Sequence, residues 1–320
     1  MHPLLKKLYD NIRKVIIGKD RIVRLTITSL LARGHVLVED VPGIGKTMLA
    51  RSLAQSLKAK YRRIQFTPDL LPSDVTGVSI YHPENLEFEF LPGPVFTDVL
   101  LADEINRTSP RTQSSLLEAM EERQVTVDGK THPLSNSFFV IATQNPIELE
   151  GTYPLPEAQI DRFLMRLDLG YPSPDEEVSI LEAQVRRHPI DNLEPVISSD
   201  DLHQLQKRVL EVQVSREIQS YIVHLSVNTR NLAGVRVGVS PRGSIAVMRA
   251  AQAHSYLHGH KFVRPDSVKA VAPYVLAHRL VLDSHREGAG LSRREIVEKI
   301  LEKTPVPTLP HGTRPAEVQS

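Results

Sequence analysis

The sequence of 320 residues contains no cysteine and no tryptophan. Without cysteine, the chain cannot form a disulfide framework, a thiolate metal site or a cysteine nucleophile. Any catalysis must therefore use oxygen, nitrogen or phosphate chemistry. Hydrophobic residues make up 41% of the chain and charged residues 24%, which is typical of a folded globular protein and not of a disordered one. The length predicts about two domains.

Long hydrophobic runs are also missing. No apolar stretch approaches the roughly 18 residues that a membrane-spanning helix needs, and residues 1–7 lack the apolar segment of a signal peptide. We therefore expect a cytoplasmic protein without a membrane span. The chain has no excess of charge of one sign either, because 39 Lys and Arg are matched by 38 Asp and Glu. This balance argues against a nucleic-acid partner, since such partners favour a basic surface.

The first half of the chain has the pattern of an α/β domain. Up to about residue 170, short β-branched runs alternate with helical patterns, which predicts a mostly parallel sheet flanked by helices. The predicted strands are 35–38, 63–66, 99–102, 138–142 and 164–169. Two stretches, about 78–94 and 124–134, interrupt the alternation and are predicted to be hairpin insertions. The second is expected to turn at Asp128 and Gly129.

Turn residues at 171–174, Tyr-Pro-Ser-Pro, mark the predicted domain boundary. From there to residue 301 the apolar spacing is helical, so we expect a smaller all-helical domain over 171–301. Helices are expected to begin at Ser240-Pro241 and at Pro265. Four prolines follow near the end of the chain, and residues 302–320 are therefore predicted to form a flexible tail.

A tight, glycine-containing turn follows the first predicted strand and opens a helix. Residues 41–47 read Val-Pro-Gly-Ile-Gly-Lys-Thr, the pattern of a P-loop, although Asp40 stands where the motif has its first glycine. Backbone N–H groups in such a turn surround phosphates, Lys46 reaches the β and γ phosphates, and the Thr47 hydroxyl is a ligand for Mg²⁺. The residues predicted to bind the nucleotide here are Gly43, Ile44, Gly45, Lys46, Thr47 and Met48.

Polar side chains follow two further predicted strands. Asp103 is predicted to hold Mg²⁺ through water and Glu104 to polarise the attacking water, because phosphoryl transfer needs charge compensation and an oriented nucleophile. Asn145 follows the strand at 138–142. If the two strands are neighbours, its amide lies about 5 Å to the side of Glu104 and can bind the attacking water or the γ-phosphate. An Asn-Pro turn is the alternative interpretation, and the two are compatible.

These elements occur in the order that is typical of AAA+ ATPases, and four strings resemble the MoxR family: 41–47, 103–107, 142–146 and 156–163. The resemblance covers about residues 10–300. It implies an ATPase core over 1–170 with a helical lid over 171–301, an insert in helix 2 at 78–94, and a hairpin at 124–134 before the sensor strand. By the same resemblance, Asn145 is the first sensor residue and Arg242 the second.

The resemblance also implies an arginine finger, a cation that is inserted into a neighbouring subunit's site. Arg162 resembles this finger, and the alternative is a surface arginine paired with Asp161 or Glu157. Three other arginines are candidates for the same role: Arg107, Arg111 and Arg166. The sequence does not distinguish whether Arg242 acts in its own subunit or across an interface.

Residues 15–19, Val-Ile-Ile-Gly-Lys, resemble the segment that lines the adenine pocket in this superfamily, so Ile17 is predicted to contact the base. The family implies a ring, expected to be a hexamer, that uses ATP and Mg²⁺ to remodel or mature protein clients. It further implies a partner with a von Willebrand factor A domain. The alternatives are the similar I-type subunit of magnesium chelatase and a nucleic-acid translocase or helicase. Near-balanced charge in both parts of the chain argues against the last.

Overall fold

The computed structural model describes residues 1–41, 43–84, 86–145, 151–185, 187–283 and 292–307. Within these ranges, none of the helices is long and apolar enough to span a bilayer. The last helix continues to Lys303, two residues into the segment predicted to be a tail. Most of that predicted tail, residues 308–320, lies outside the described residues.

The first part of the chain alternates helices and strands as the sequence predicts. Its elements are α1 (Pro3–Arg13), α2 (Asp20–Leu31), β1 (His35–Glu39), α3 (Lys46–Ser56), β2 (Tyr61–Gln65), α4 (Pro72–Thr76), β3 (Gly77–His82), β4 (Glu87–Pro92), β5 (Val99–Asp103), α5 (Pro110–Glu122), β6 (Gln124–Val127), β7 (Lys130–Pro133), β8 (Phe139–Gln144), α6 (Glu157–Ile160) and β9 (Phe163–Leu167). A 3₁₀ turn at Ile105–Arg107 follows β5.

Five of these strands form one parallel sheet in the order β2, β5, β8, β1, β9. The central strands β1, β5 and β8 are almost fully buried, which explains why they read as apolar runs without alternation. Since all five strands run in the same direction, the residues that follow β1, β8 and β5 meet at one edge. This carboxyl edge carries the P-loop, Asn145 and the Asp103-Glu104 pair.

Two hairpins extend from this part of the chain. The first pairs β3 with β4 in antiparallel register from Gly77–Pro92 to His82–Glu87. The second pairs β6 with β7 and turns at Asp128 and Gly129, both of which have positive φ angles. A two-residue turn of this kind matches the twist of the strands that it joins.

The second part of the chain is mainly helical. Its elements are α7 (Pro174–Gln184), α8 (Ser199–Leu210), α9 (Arg216–Arg230), β10 (Val235–Val237), α10 (Pro241–Leu257), α11 (Pro265–Leu276), β11 (Val281–Leu282) and α12 (Arg293–Lys303). Proline begins α10 and α11 at the predicted positions. The region expected to be all-helical also contains a two-stranded antiparallel ladder of β10 and β11, which are too short to give a strand pattern in the sequence.

The two parts share one hydrophobic core. Apolar residues of α1, α2, α3 and one face of the sheet form a single buried cluster with those of α8 to α12. Gln206 of α8 adds a hydrogen bond from its Nε2 to the carbonyl of Leu30, 2.8 Å away. The opposite face of the sheet packs on α5 and on the bases of both hairpins. The helical second part therefore packs on the α2 side of the sheet through continuous apolar contacts.

Candidate active site

The P-loop takes its shape from two glycines. Gly43 has a φ of +85° and Gly45 a φ of +96°, a left-handed conformation that other residues rarely adopt. A Cβ atom at either position would meet nothing within 4 Å, so the backbone of the turn is open toward the phosphate position. Gly45 caps α3, and the first N–H groups of this helix therefore point into the turn.

Lys46, the first residue of α3, lies across the P-loop with a side chain that is largely buried. Its Nζ donates a hydrogen bond to the carbonyl of Asp40 at 2.8 Å. Burial lowers the pKa of Lys46, while the carboxylates of Asp103, Asp40 and Glu104 act in the opposite direction. The lysine is thus within electrostatic range of both carboxylates that end β5.

Asp40, which departs from the P-loop pattern, has a structural role of its own. Its Oδ1 accepts a hydrogen bond from the backbone N–H of Val41 at 3.0 Å, and its Oδ2 accepts one from Gly170 at 2.7 Å. Asp40 is not among the described residues with positive φ, so this position does not require glycine. The carboxylate links the start of the P-loop to the segment that leaves β9.

Asp103 ends β5, and both of its carboxylate oxygens accept hydrogen bonds from side chains of the neighbouring strands. Oδ1 accepts a hydrogen bond from the Thr143 hydroxyl of β8 at 2.6 Å. Oδ2 accepts two from the Arg63 guanidinium of β2, at 2.6 and 3.2 Å. The carboxylate is therefore held in one orientation from both sides.

Glu104 adopts a left-handed conformation, with φ 57° and ψ 49°. Such a conformation is uncommon for a residue other than glycine and is found preferentially at functional sites. The backbone N–H of Glu104 donates a hydrogen bond to the hydroxyl of Thr143 at 2.8 Å. Oε2 of Glu104 accepts a hydrogen bond from the Gln65 amide at 2.7 Å and forms an ion pair with Arg107 at 2.9 Å.

Three of these partners were not predicted from the sequence: Arg63, Gln65 and Thr143. Their roles depend on strand order, because β2 and β8 lie on either side of β5. The register places Gln65 opposite Asp103. Each of the three lies at or near the carboxyl end of its strand, and this was the available signal for a site residue. The sequence did not show that β2 and β8 are the neighbours of β5.

Asn145 follows β8 directly and is only 5% exposed. Because β8 lies between β1 and β5, this residue is at the same edge as the P-loop and Glu104. The Asn106 side chain donates a hydrogen bond to the backbone carbonyl of Asn145 at 3.3 Å. The structure thus brings Asn145 to the predicted edge of the sheet.

A pocket of about 420 Å³ opens beside the P-loop and has the size expected for a small-molecule site. The predicted residues Ile17, Gly43, Ile44, Gly45 and Met48 all line it. The sequence did not predict the opposite wall, which α7 provides through residues that include Ile180 and Leu181. This helix has no buried residue, so its apolar side chains are available to a ligand in the pocket.

The two arginines expected to contact phosphate lie together at the other edge of the sheet. Arg162 precedes β9, and its Nε is 2.8 Å from Oε2 of Glu121. Arg242, the second residue of α10, has its Nη2 3.0 Å from Oε1 of the same carboxylate. The sequence suggested Asp161 or Glu157 as a surface partner of Arg162. The carboxylate that Arg162 binds is instead Glu121, at the end of α5.

The direction of the strands shows at which edge of the sheet the Arg162–Arg242 pair lies. Phe163, which follows Arg162, is paired with His35 at the start of β1, whereas the P-loop follows the end of β1. Since β1 has five residues, the two edges are separated by about 13 Å. Arg242 is not among the residues that line the pocket beside the P-loop.

The other finger candidates lie elsewhere. Arg107 is paired with Glu104, as described above, and Arg111 is exposed in the first turn of α5. Arg166 of β9 forms an ion pair with Glu39 at the end of β1, and burial raises the pKa of that carboxyl group. Two of the three therefore belong to the carboxyl edge of their own subunit.

The residues at the carboxyl edge fit a nucleotide bound with Mg²⁺. The P-loop supplies open N–H groups and Lys46, and Asp103 supplies carboxylate oxygens, the donor type that Mg²⁺ prefers. Thr47 follows Lys46 in the first turn of α3 and adds a hydroxyl.

Comparisons with known proteins agree with this geometry. The model of the ATPase family associated with various cellular activities (AAA) matches residues 35–165, and that of the AAA lid domain matches residues 227–300. Chaperone MoxR1 of Mycobacterium tuberculosis is 39% identical over 96% of this chain and 83% of its own length. The chain belongs to the MoxR family of AAA+ ATPases.

Two further proteins are similar to this MoxR-family chain over almost all of its length. The uncharacterized protein YeaC of Bacillus subtilis is 54% identical over 96% of both chains. The crystal structure of a protein described as an ATPase from Cytophaga hutchinsonii superposes with a TM-score of 0.88. It is 37% identical and covers 95% of both chains. The α/β core with its lid is therefore the AAA+ fold.

Proposed function

We propose that this MoxR-family protein binds and hydrolyses ATP with Mg²⁺ at the carboxyl edge of its sheet. The observation that carries the proposal is the convergence of Lys46, Asp103 and Glu104, which come from different elements and interact electrostatically. Nucleotide-binding sites of α/β sheets lie at this edge, where the P-loop and the helix N-terminus favour phosphate.

Each residue has a role in this reaction. The P-loop N–H groups and Lys46 bind the phosphates, and Ile17 and Met48 contact the base in the adjoining pocket. Thr47 and Asp103 would hold Mg²⁺, which compensates the phosphate charge when bound. Glu104 orients the attacking water and accepts its proton. Gln65 and Arg107 both bind Oε2 of Glu104, and Oε1 is the oxygen proposed to contact the water.

Two variants test the site. Lys46→Ala should lose binding of a fluorescent ATP analogue, because the phosphates lose their cation. Glu104→Gln should keep binding and lose hydrolysis, because an amide cannot accept the proton. Glu118→Gln makes the same substitution at an exposed position of α5, so it is the matched control and should behave like the parent. Parent-like hydrolysis in both site variants would contradict the assignment.

We further propose that Arg162 and Arg242 act on the site of a neighbouring subunit, in a ring that is expected to be a hexamer. Both arginines lie at the amino edge of the sheet, and this edge is about 13 Å from the edge that carries their own P-loop. A ring brings the amino edge of one subunit to the carboxyl edge of the next, and each site is completed there.

Mixing experiments test this arrangement. Arg162→Ala subunits should be inactive alone and regain ATPase activity when mixed with Glu104→Gln subunits, because some interfaces then combine an intact site with an intact arginine. The same recovery is expected for Arg242→Ala. Absence of recovery in mixtures that demonstrably co-assemble would argue against action in trans.

The output of hydrolysis is proposed to be the remodelling of a protein client. The β3–β4 hairpin supports this, because it exposes a set of large hydrophobic side chains: Val78, Ile80, Tyr81, Leu86, Phe88 and Leu91. Exposed apolar patches of this kind mark interaction sites. We also propose a partner with a von Willebrand factor A domain. Co-purification with Glu104→Gln, which should retain the ATP-bound state, tests for client and partner together.

A further inference from the structure

Glu121 is shared by two arginines from different parts of the chain. Its Oε2 is 2.8 Å from Nε of Arg162, which precedes β9 in the core. Its Oε1 is 3.0 Å from Nη2 of Arg242, which lies in the first turn of the lid helix α10. A single carboxylate therefore connects the core arginine to the lid arginine.

A second carboxylate anchors this group to the buried part of the molecule. Oδ2 of Asp161 lies 3.6 Å from Nε of Arg242, and its Oδ1 lies 2.5 Å from Nε of Arg279. The side chain of Arg279 is only 5% exposed. It also donates hydrogen bonds to the carbonyls of Phe163 and Leu164 in β9. The network thus connects the lid to the start of β9 through a fixed, buried cation.

The charges of the network are unequal. Three guanidinium groups face two carboxylates, Glu121 and Asp161, so one positive charge remains in excess. Arg162 uses Nε for its contact with Glu121, which leaves both of its Nη nitrogens outside this ion pair. Arg242 is the most exposed of the three arginines. The two arginines can therefore be held by Glu121 and still present N–H groups to an anion.

We propose that Glu121 is a positioning residue that holds Arg162 and Arg242 as one pair for the neighbouring subunit's triphosphate. This inference rests on the proposed action of both arginines in trans. Without the carboxylate, the two cations repel each other and lose their common orientation. A shift of about 1 Å in such a group can cost on the order of 100-fold in rate. Glu121 also makes the arginine of the core respond to the position of the lid.

The first experiment compares Glu121→Gln with Glu122→Gln in full-length rings. Glu122 is the next residue of α5, is exposed, and forms no ion pair within the described part of the chain. Glu121→Gln should lower kcat by about 10- to 100-fold and leave binding of a fluorescent ATP analogue unchanged, since its own P-loop is intact. Glu122→Gln should match the parent. Parent-like kcat in Glu121→Gln would overturn the proposal.

Mixed rings show where Glu121 acts. Glu121→Gln subunits should regain activity with Glu104→Gln subunits, which provide intact arginines. If Arg162→Ala recovers in such mixtures and Glu121→Gln does not, Glu121 does not act through the arginines, and the trans function stands without it. If Arg162→Ala itself fails to recover, both proposals are overturned.

A double-mutant comparison isolates the coupling. Arg162→Lys and Arg242→Lys keep a positive charge and a measurable kcat. The two substitutions should have non-additive effects on kcat in the parent and additive effects in a Glu121→Gln background. Glu121→Asp keeps the charge on a shorter side chain and should fall between the parent and Glu121→Gln. Equal coupling with and without Glu121 would contradict the proposal. Melting temperatures of all variants identify any loss of folding.

Discussion

The guanidinium of Arg63 binds the carboxylate of Asp103 across two neighbouring strands, with Nη2 and Nε at 2.6 and 3.2 Å from the same oxygen, Oδ2. Asp103 is the carboxylate proposed to hold Mg²⁺, so the Arg63 guanidinium is bound to an oxygen that the metal would also use. Arg63 therefore both orients the carboxylate and competes with the metal for it.

Arg63→Gln should lower the Mg²⁺ concentration that gives half-maximal ATPase activity. The guanidinium is about half exposed, so its interaction is worth no more than about 1 kcal/mol and the shift should be up to about fivefold. A Mg²⁺ titration at saturating nucleotide measures it. Arg62, next to Arg63 in β2, donates to the Gly93 carbonyl and not to Asp103, so Arg62→Gln serves as the control. An increased Mg²⁺ requirement in Arg63→Gln would show that orientation outweighs competition.

Thr143→Val should disrupt the carboxylate pair that ends β5. The hydroxyl accepts from the Glu104 N–H at 2.8 Å and donates to Asp103 at 2.6 Å, and valine removes both contacts without changing the shape. We expect the free energy of unfolding to fall by about 1 to 3 kcal/mol, together with a loss of kcat. Urea unfolding and ATPase assays measure the two effects. Thr143→Ser keeps the hydroxyl and should restore both, and a serine variant as impaired as valine would refute the role of the hydroxyl.

Stability should fall in acid because of buried, neutral histidines. Burial lowers the pKa of His35 from 6.5 to about 3, and its ring accepts a hydrogen bond from the Val140 N–H at 3.0 Å. Below pH 6.5 the unfolded chain binds a proton that the folded chain does not, so the contribution of His35 is complete above pH 6.5 and declines between pH 6.5 and about 3. Burial also lowers the pKa values of His254 and His278, which add to this loss.

The measurement is urea unfolding at pH 7.5 and pH 5. His35 alone should account for about 2 kcal/mol of the difference in the free energy of unfolding. His35→Asn should be less stable than the parent at pH 7.5 and should lose less stability between the two values. An equal loss in the variant would exclude His35 as a source of the acid sensitivity.

The two ends of the β3–β4 hairpin should respond differently to substitution. The rings of Tyr81 and Phe88 are in tilted contact, with their centroids 5.2 Å apart, and the two residues are 44% and 68% exposed. Ser at both positions should therefore leave the melting temperature almost unchanged. Stimulation of ATPase activity by an unfolded probe, carboxymethylated lactalbumin, should be lost. Phe90→Ser is the contrasting variant, because Phe90 stacks on His132 at 4.0 Å and contacts Phe96. It should lower the melting temperature, and a similar fall in the Tyr81/Phe88 variant would place those rings in the fold and not in client contact.

The sequence determined the features that depend on local spacing. Gly43, Gly45 and Lys46 form the P-loop because positive φ angles and the helix start are set within a few residues. The parallel sheet was predictable as well, because fully buried strands carry continuous apolar runs. Among the strands of the parallel sheet, β2 overlaps least with its predicted range, which was 63–66 and is observed at Tyr61–Gln65. It is partly exposed and carries two arginines, so its extent is set by pairing with β5 and not by its own pattern.

The tertiary structure decided what depends on contacts between distant segments. The sequence left the position of Arg242 open, and packing of the lid on α2 placed it beside Arg162, at the edge opposite the P-loop. The partner of Arg162 is Glu121, forty-one residues away in the sequence, and not the adjacent Asp161. Arg63, Gln65 and Thr143 reach the active site only because strand order places β2 and β8 beside β5. Local pattern fixes backbone conformation, whereas which side chains meet depends on how the elements pack.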